Sequence, residues 1–306
     1  MPTLGVLDTT AATLTGEMQA RLDTLVIRFV AELPDPPRVR LIIADDFPRA
    51  AAKARDRAVE KSNDEPAPET YNVQKPDGAV TVALTVNTAE GVDVVLPTAL
   101  LQIDDEIVDR TVLHEAQHVR LHQHAGSAFA AHRRVPGFDT PDDLAWEFLW
   151  LAENAVDEYR CELSLYNREL ADVEPPNGGE LGELEAIVAN FDAARASYQR
   201  RGDLMRLYHT AFQVLQRLGV FLADTAARIV TGPDELVAPW RSEPSVRHAV
   251  ALLREMPDSG SAVSDEDLTA VAVQFGRQLR QALRVHGRMD YYFVGGRSQR
   301  YLKVLR

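Results

Sequence analysis

The chain has 306 residues, 45% of them hydrophobic, enough for one large or two modest packed domains. Its 46 acidic and 33 basic side chains leave a formal net charge of -13, which repels nucleic-acid phosphates and anionic lipid; neither is expected as a partner. A single cysteine, Cys161, excludes an internal disulfide and fits a reducing cytosol.

The first residues, MPTLGVLDTTAATLTGEMQARLD, lack a basic start followed by an apolar run, so no signal peptide is expected. No stretch approaches the ~18 uninterrupted apolar residues of a membrane span. The expectation is a soluble, cytoplasmic protein.

Residues 10–33 read as a helix capped by Thr9 or Thr10, because Leu14, Met18, Leu22, Leu25, Phe29 and Leu33 recur at spacings of three and four. Pro34, Pro36 and Pro37 stop it. The branched, apolar run Val39–Ala44 predicts a strand. Pro48–Lys61 predicts a surface helix with alanines on its inner side, and 62–78, rich in proline and acids, a mobile loop. Ala79–Val86 and Val92–Leu96 predict strands joined as a hairpin through Asn87–Gly91.

Asp104–His124 reads as a helix, with acids at its start, where the helix dipole favours them, and Gly126 just past its end. A long helix is expected over about 142–170, with Asp142 and Asp143 as caps. Its first half is apolar nearly all round, which predicts burial between two layers. The acidic, proline- and glycine-containing Asp172–Glu183 marks a boundary. Helices follow over about 184–201, 203–230, 244–256 and 264–286, then a short strand at Tyr291–Val294 and a basic, solvated tail, Arg297–Arg306. The expected organisation is α+β: residues 1–172 as a first domain, 173–183 as a linker and 184–306 as a helical domain.

The strongest chemical signal is His114-Glu115-Ala116-Gln117-His118. Residues four apart on a helix stack one turn above each other, so two imidazoles can share one zinc ion. Zinc lowers the pKa of a bound water toward neutrality. Glu115, adjacent to the first histidine, is placed to act as general base and then to protonate a leaving amine.

With this motif on a helix that follows short strands, the chain resembles the zincin metallopeptidases. The resemblance covers about residues 80–165. It implies a zincin-like core, a small mixed sheet plus an active-site helix, with Val92–Leu96 as the edge strand along which a peptide or protein substrate would lie by backbone hydrogen bonding.

Two branches complete the zinc site differently. The metzincins add a third histidine after a glycine turn. His124 stands at that position, but Leu121 replaces the glycine, and a continued helix carries His124 about 9 Å beyond His118. His122 and His124 then read as solvated or capping residues. The gluzincins take a glutamate from a following helix. Glu158-Tyr159-Arg160-Cys161-Glu162 is similar to the pattern of Ste24-like and ImmA/IrrE-like peptidases: Glu158 as ligand, Cys161 as the small residue that lets helices approach, Glu162 orienting a ligating histidine. Glu153 with Asp157 is the alternative acid pair, as in thermolysin-like enzymes. Helical phase does not choose between them, and whichever acid is not the ligand is expected to pair with Arg160 at the surface.

An oxyanion donor is also needed; Tyr159, His209, His248, His286, Tyr291 and Tyr292 are the candidates. No phosphate loop or nucleophile elbow occurs, and Cys161, mid-helix among bulky residues, reads as structural. The expectation is a zinc-dependent metallopeptidase; the alternative is a regulatory or binding protein that keeps the zincin fold without turnover.

Overall fold

The computed structural model describes residues 4–59, 83–171, 178–233, 240, 243–294 and 299–305. The chain is mixed α and β, mainly helical with a small mixed sheet. Internal contacts divide it into two units, residues 1–126 with 259–262, and residues 127–258 with 263–306. This division falls ahead of the composition boundary at 172–183: the helix expected to close the first domain packs with the later helices.

The first unit is built on a four-stranded sheet of β1 (Val6–Ala11), β2 (Val39–Ala44), β3 (Leu84–Thr88) and β4 (Gly91–Pro97), in the order β1-β2-β4-β3. β1, β2 and β4 are parallel, and β3 runs antiparallel to β4. Side chains alternate across a strand. Leu41, Ile43, Val94 and Leu96 therefore face α1 (Gly16–Glu32) and α3 (Asp105–Arg120), where Leu22, Phe29, Val112 and Ala116 close one core. Ile42, Ala44, Val86 and Val95 face the other way, onto Ala50 and Ala54 of α2 (Phe47–Asp56). The alanines expected on the inner side of α2 are buried, but the helix stops at Asp56 rather than Lys61.

Three expectations change here. Residues 6–11 form a strand, and the first helix starts at Gly16, capped by the Thr15 side chain accepting from the Met18 amide, rather than by Thr9 or Thr10. Those residues are held extended by pairing with β2. Val92–Leu96 is an interior strand, hydrogen-bonded on both sides, and among the described residues the edge strand beside it is β3, bridged at its end to Ala58. The expected strand Ala79–Val86 is realised as Leu84–Thr88; residues 79–82 and the expected loop 62–78 lie outside the described residues.

The hairpin turns through Ala89 and Glu90 into Gly91, whose φ of 147° is one that residues with a side chain rarely adopt. A Cβ there would stand 2.0 Å from the Arg38 carbonyl oxygen. We expect Gly91→Ala to cost about 3 kcal/mol or more in urea unfolding, because backbone strain and a backbone clash act together. A cost within experimental error of zero would contradict this placement of the hairpin.

The second unit is helical. It contains α4 (Ala131–Arg134), α5 (Trp146–Asn167), α6 (Gly178–Arg201), α7 (Leu204–Thr231), α8 (Pro244–Leu253) and α9 (Asp265–Val285), followed by a hairpin of β5 (Met289–Val294) and β6 (Gln299–Val304). α5 packs chiefly against α7 and α9, and its residues 147–153 are buried without a break, as the all-round apolar pattern implies. It starts at Trp146, so Asp142 and Asp143 do not cap it; Asp143 instead pairs with Arg277 at 2.8 Å. The expected C-terminal tail is a strand over residues 299–304, with Leu302 buried in the helical core. Arg160 is wholly buried rather than at the surface, and it donates to the carbonyls of Pro257 and Asp258 at 3.1 and 3.3 Å. No described helix is long and apolar enough to cross a membrane.

Candidate metal centre

α3 opens with Asp104, whose side chain accepts from the Glu106 amide, and carries Asp105 and Glu106 in its first turn. One face of it, Val108, Val112, Ala116 and Val119, is committed to the sheet core. His114 and His118 lie on another face and stay partly exposed, while Leu113, Glu115, Ala116 and Gln117 between and beside them are buried. The helix thus displays the two imidazoles and hides their neighbours.

The two Nε2 atoms are 3.1 Å apart, with ring centroids 4.8 Å apart and planes at 72°. Two ligands each about 2.0–2.1 Å from one tetrahedral ion stand about 3.3 Å apart, so this spacing suits a shared cation. Glu115, 8% exposed, accepts at Oε2 from the Thr85 hydroxyl at 2.6 Å. Gln117, fully buried, donates to the Leu113 carbonyl at 3.2 Å and accepts from Ser259 at 2.9 Å.

After Arg120 the helix widens into a π-turn, Leu121–Ala125, which ends at Gly126 with φ 76°. That is the left-handed residue expected after a helix end. His122 and His124 sit on this turn, His124 exposed.

On α5 nearly every side chain from Glu147 to Tyr166 is buried, and Asn154 and Glu158, one turn apart, are the partly exposed ones. Of the residues expected as ligands, His114 and His118 lie in the first unit and Glu158 in the second. These are two neutral-capable imidazoles and a carboxylate, the donor chemistry of several first-row metals.

Glu153 is otherwise engaged. It is fully buried, accepts from the Ala130 and His132 amides at 3.1 and 3.2 Å, and lies 2.7 Å from His132 Nδ1. Burial raises its pKa above the ordinary 4.5, against the opposing hydrogen bonds of His132 and Ala130. A raised carboxyl pKa stabilises the fold while the group is protonated, below 4.5, and that contribution is lost as pH rises through the folded-state value. We therefore expect the stability of the wild type relative to Glu153→Gln to fall as pH is raised above 4.5, on the order of 1 kcal/mol per pH unit until that value is passed. Urea unfolding of both proteins from pH 4 to 8 measures it; a constant or rising difference would show the charged form to be the favoured one.

The remaining expected residues divide as follows. Asp157 is buried and accepts from the Ser127 hydroxyl and the Ala128 and Phe129 amides, so it holds the 127–129 loop. Glu162 is buried one turn beyond Glu158. Cys161 is a buried free thiol. Tyr159 is fully buried, and burial holds its hydroxyl well above the usual phenol range. His209 stacks edge-on with Tyr208, His248 is exposed on α8, and His286 is the C-cap of α9. The side chains of Tyr291 and Tyr292 lie outside the described residues. Thr85 and Asn154 carried no signal in the sequence: a threonine in a strand and an asparagine in a helix become notable only beside Glu115 and Glu158. A cavity of about 620 Å³ in the helical unit, bordered by Ile229, Val246 and Val250, is lined by none of these residues.

Comparison with protein-family models, with curated proteins and with solved structures finds no match.

Proposed function

We propose that this chain is a zinc-dependent hydrolase, a metallopeptidase of the gluzincin kind, with His114, His118 and Glu158 as the zinc ligands and Glu115 as general base. The observation that carries the reading is the pair of imidazole nitrogens 3.1 Å apart on one helix face, with a carboxylate at the intervening position that is not itself a ligand. The donor set alone suits iron as well as zinc. The adjacent Glu115 favours zinc, because a hydrolytic site needs a proton acceptor beside its water and an oxygen-activating site does not.

Bound zinc would supply Lewis acidity, polarising a carbonyl and acidifying water. The protein's own residues do the rest. Glu115 accepts the water proton as the nucleophile adds to the carbonyl carbon, and delivers it to the leaving nitrogen as the C–N bond breaks. Glu162, buried one turn past Glu158, is the residue we assign to orienting a ligand histidine. An extended peptide would add to β3, the antiparallel edge, and not to β4 as the sequence suggested. In this reading the sheet and α3 form a zincin-like core, and the protein acts on peptide or protein substrates in the cytosol.

The test is purified protein assayed for bound metal and for cleavage of casein or a peptide library. Stoichiometric zinc, with cleavage abolished by a chelator and restored by zinc, is the expected result. Full zinc occupancy without hydrolysis, and a Glu115→Gln variant indistinguishable from wild type in function, would instead identify a zinc-bearing binding protein.

A further inference from the structure

We infer that Thr85 is a positioning residue for the general base: its hydroxyl tethers the Glu115 carboxylate so that one oxygen is held and the other is left for the water. The inference rests on the metallopeptidase reading above. Thr85 lies on the edge strand β3 directly across from Val94 of β4, so the two share a face of the sheet. Val94 belongs to the core shared with α1 and α3, which fixes that face as the one toward the active-site helix. Val86, the next residue on β3, is buried in the opposite core with α2. The strand's alternation, set by burial of Val86, therefore delivers the Thr85 hydroxyl to α3. There it donates to Glu115 Oε2 at 2.6 Å, the short distance of a hydroxyl bonded to a charged acceptor.

The tether has a chemical consequence. A glutamate side chain has three rotatable bonds, and a carboxylate free to turn spends little time facing the water. With Oε2 engaged and the side chain 8% exposed, the carboxylate is confined before substrate arrives. Because the donor sits on β3, an edge strand among the described residues, the same strand that would receive the peptide also sets the angle of the base.

Two variants of the full-length, zinc-loaded protein test this. Thr85→Val keeps the shape and strand preference of the residue and removes the hydroxyl; it is expected to lower kcat by about tenfold or more, with KM and zinc content unchanged. Thr85→Ser restores the hydroxyl and is expected within about twofold of wild type. An unaltered kcat in Thr85→Val, or Thr85→Ser as impaired as Thr85→Val, overturns the inference. A readout independent of activity is a thermal-unfolding cycle of Thr85→Val with Glu115→Ala in zinc-free protein, for which non-additive effects are expected and additive ones overturn the tether. Failure of the wild type to cleave any substrate, with Glu115→Gln likewise silent, removes the metallopeptidase reading itself and the tether's catalytic role with it. Cleavage by wild type, loss in Glu115→Gln and no change in Thr85→Val removes the tether alone.

Discussion

Glu115→Gln is expected to keep its zinc and lose about 10²–10⁴-fold in turnover. The side chain is the same size, and its amide oxygen can still accept from Thr85, so the helix and the strand beside it should be undisturbed. What disappears is the ability to take a proton and return it. The metal should remain because the proposed ligands are His114, His118 and Glu158, not Glu115. Steady-state kinetics beside elemental analysis of the same preparation decides the matter. A variant that cleaves at the wild-type rate would place the proton transfer elsewhere, and one that has lost its metal would show Glu115 to be structural.

His114→Ala and His118→Ala are each expected to abolish zinc binding and hydrolysis together. Removing one imidazole leaves one histidine and one carboxylate, too few ligands to hold the ion. The loss has a thermodynamic face that does not depend on knowing the substrate. A ligand present at a thousand times its Kd stabilises the protein that binds it by about 4 kcal/mol. Zinc should therefore raise the melting temperature of the wild type and leave both histidine variants unmoved. The same measurement separates the two acids on α5: Glu158→Ala should lose the zinc-dependent rise, and Glu153→Ala should keep it, since the oxygens of Glu153 are taken by Ala130 and His132. Equal shifts in the wild type and His118→Ala would mean that the ion sits elsewhere.

The helices were largely legible beforehand, for a local reason. α7 and α9 carry apolar residues at helical spacing and start at Asp203 and Ser264, whose side chains accept from amides in the first turn. β1 was not legible. Val6–Ala11 is largely exposed on a sheet edge and has no alternation of apolar residues, so its extended form comes from pairing with β2. The C-terminal strand was missed likewise: RSQRYLKVLR is basic, and its conformation depends on β5 across the hairpin.

For the site, the chain's own order of residues determined the pair of imidazoles and the carboxylate next to them, because a helix turn is a local geometry and residues four apart meet wherever that helix lies. The resemblance to the gluzincins added the expectation of an acid from α5. What separates Glu153 from the proposed ligand Glu158 is tertiary. α5 is buried nearly all round, so no single apolar stripe marks its inner face, and the contacts of the 127–134 segment occupy Glu153 while Glu158 and Asn154 stay partly exposed. The edge identity of β3 and the meeting of Thr85 with Glu115 belong to the same class. Strand order and cross-element hydrogen bonds join residues far apart in the chain, and no local spacing encodes them.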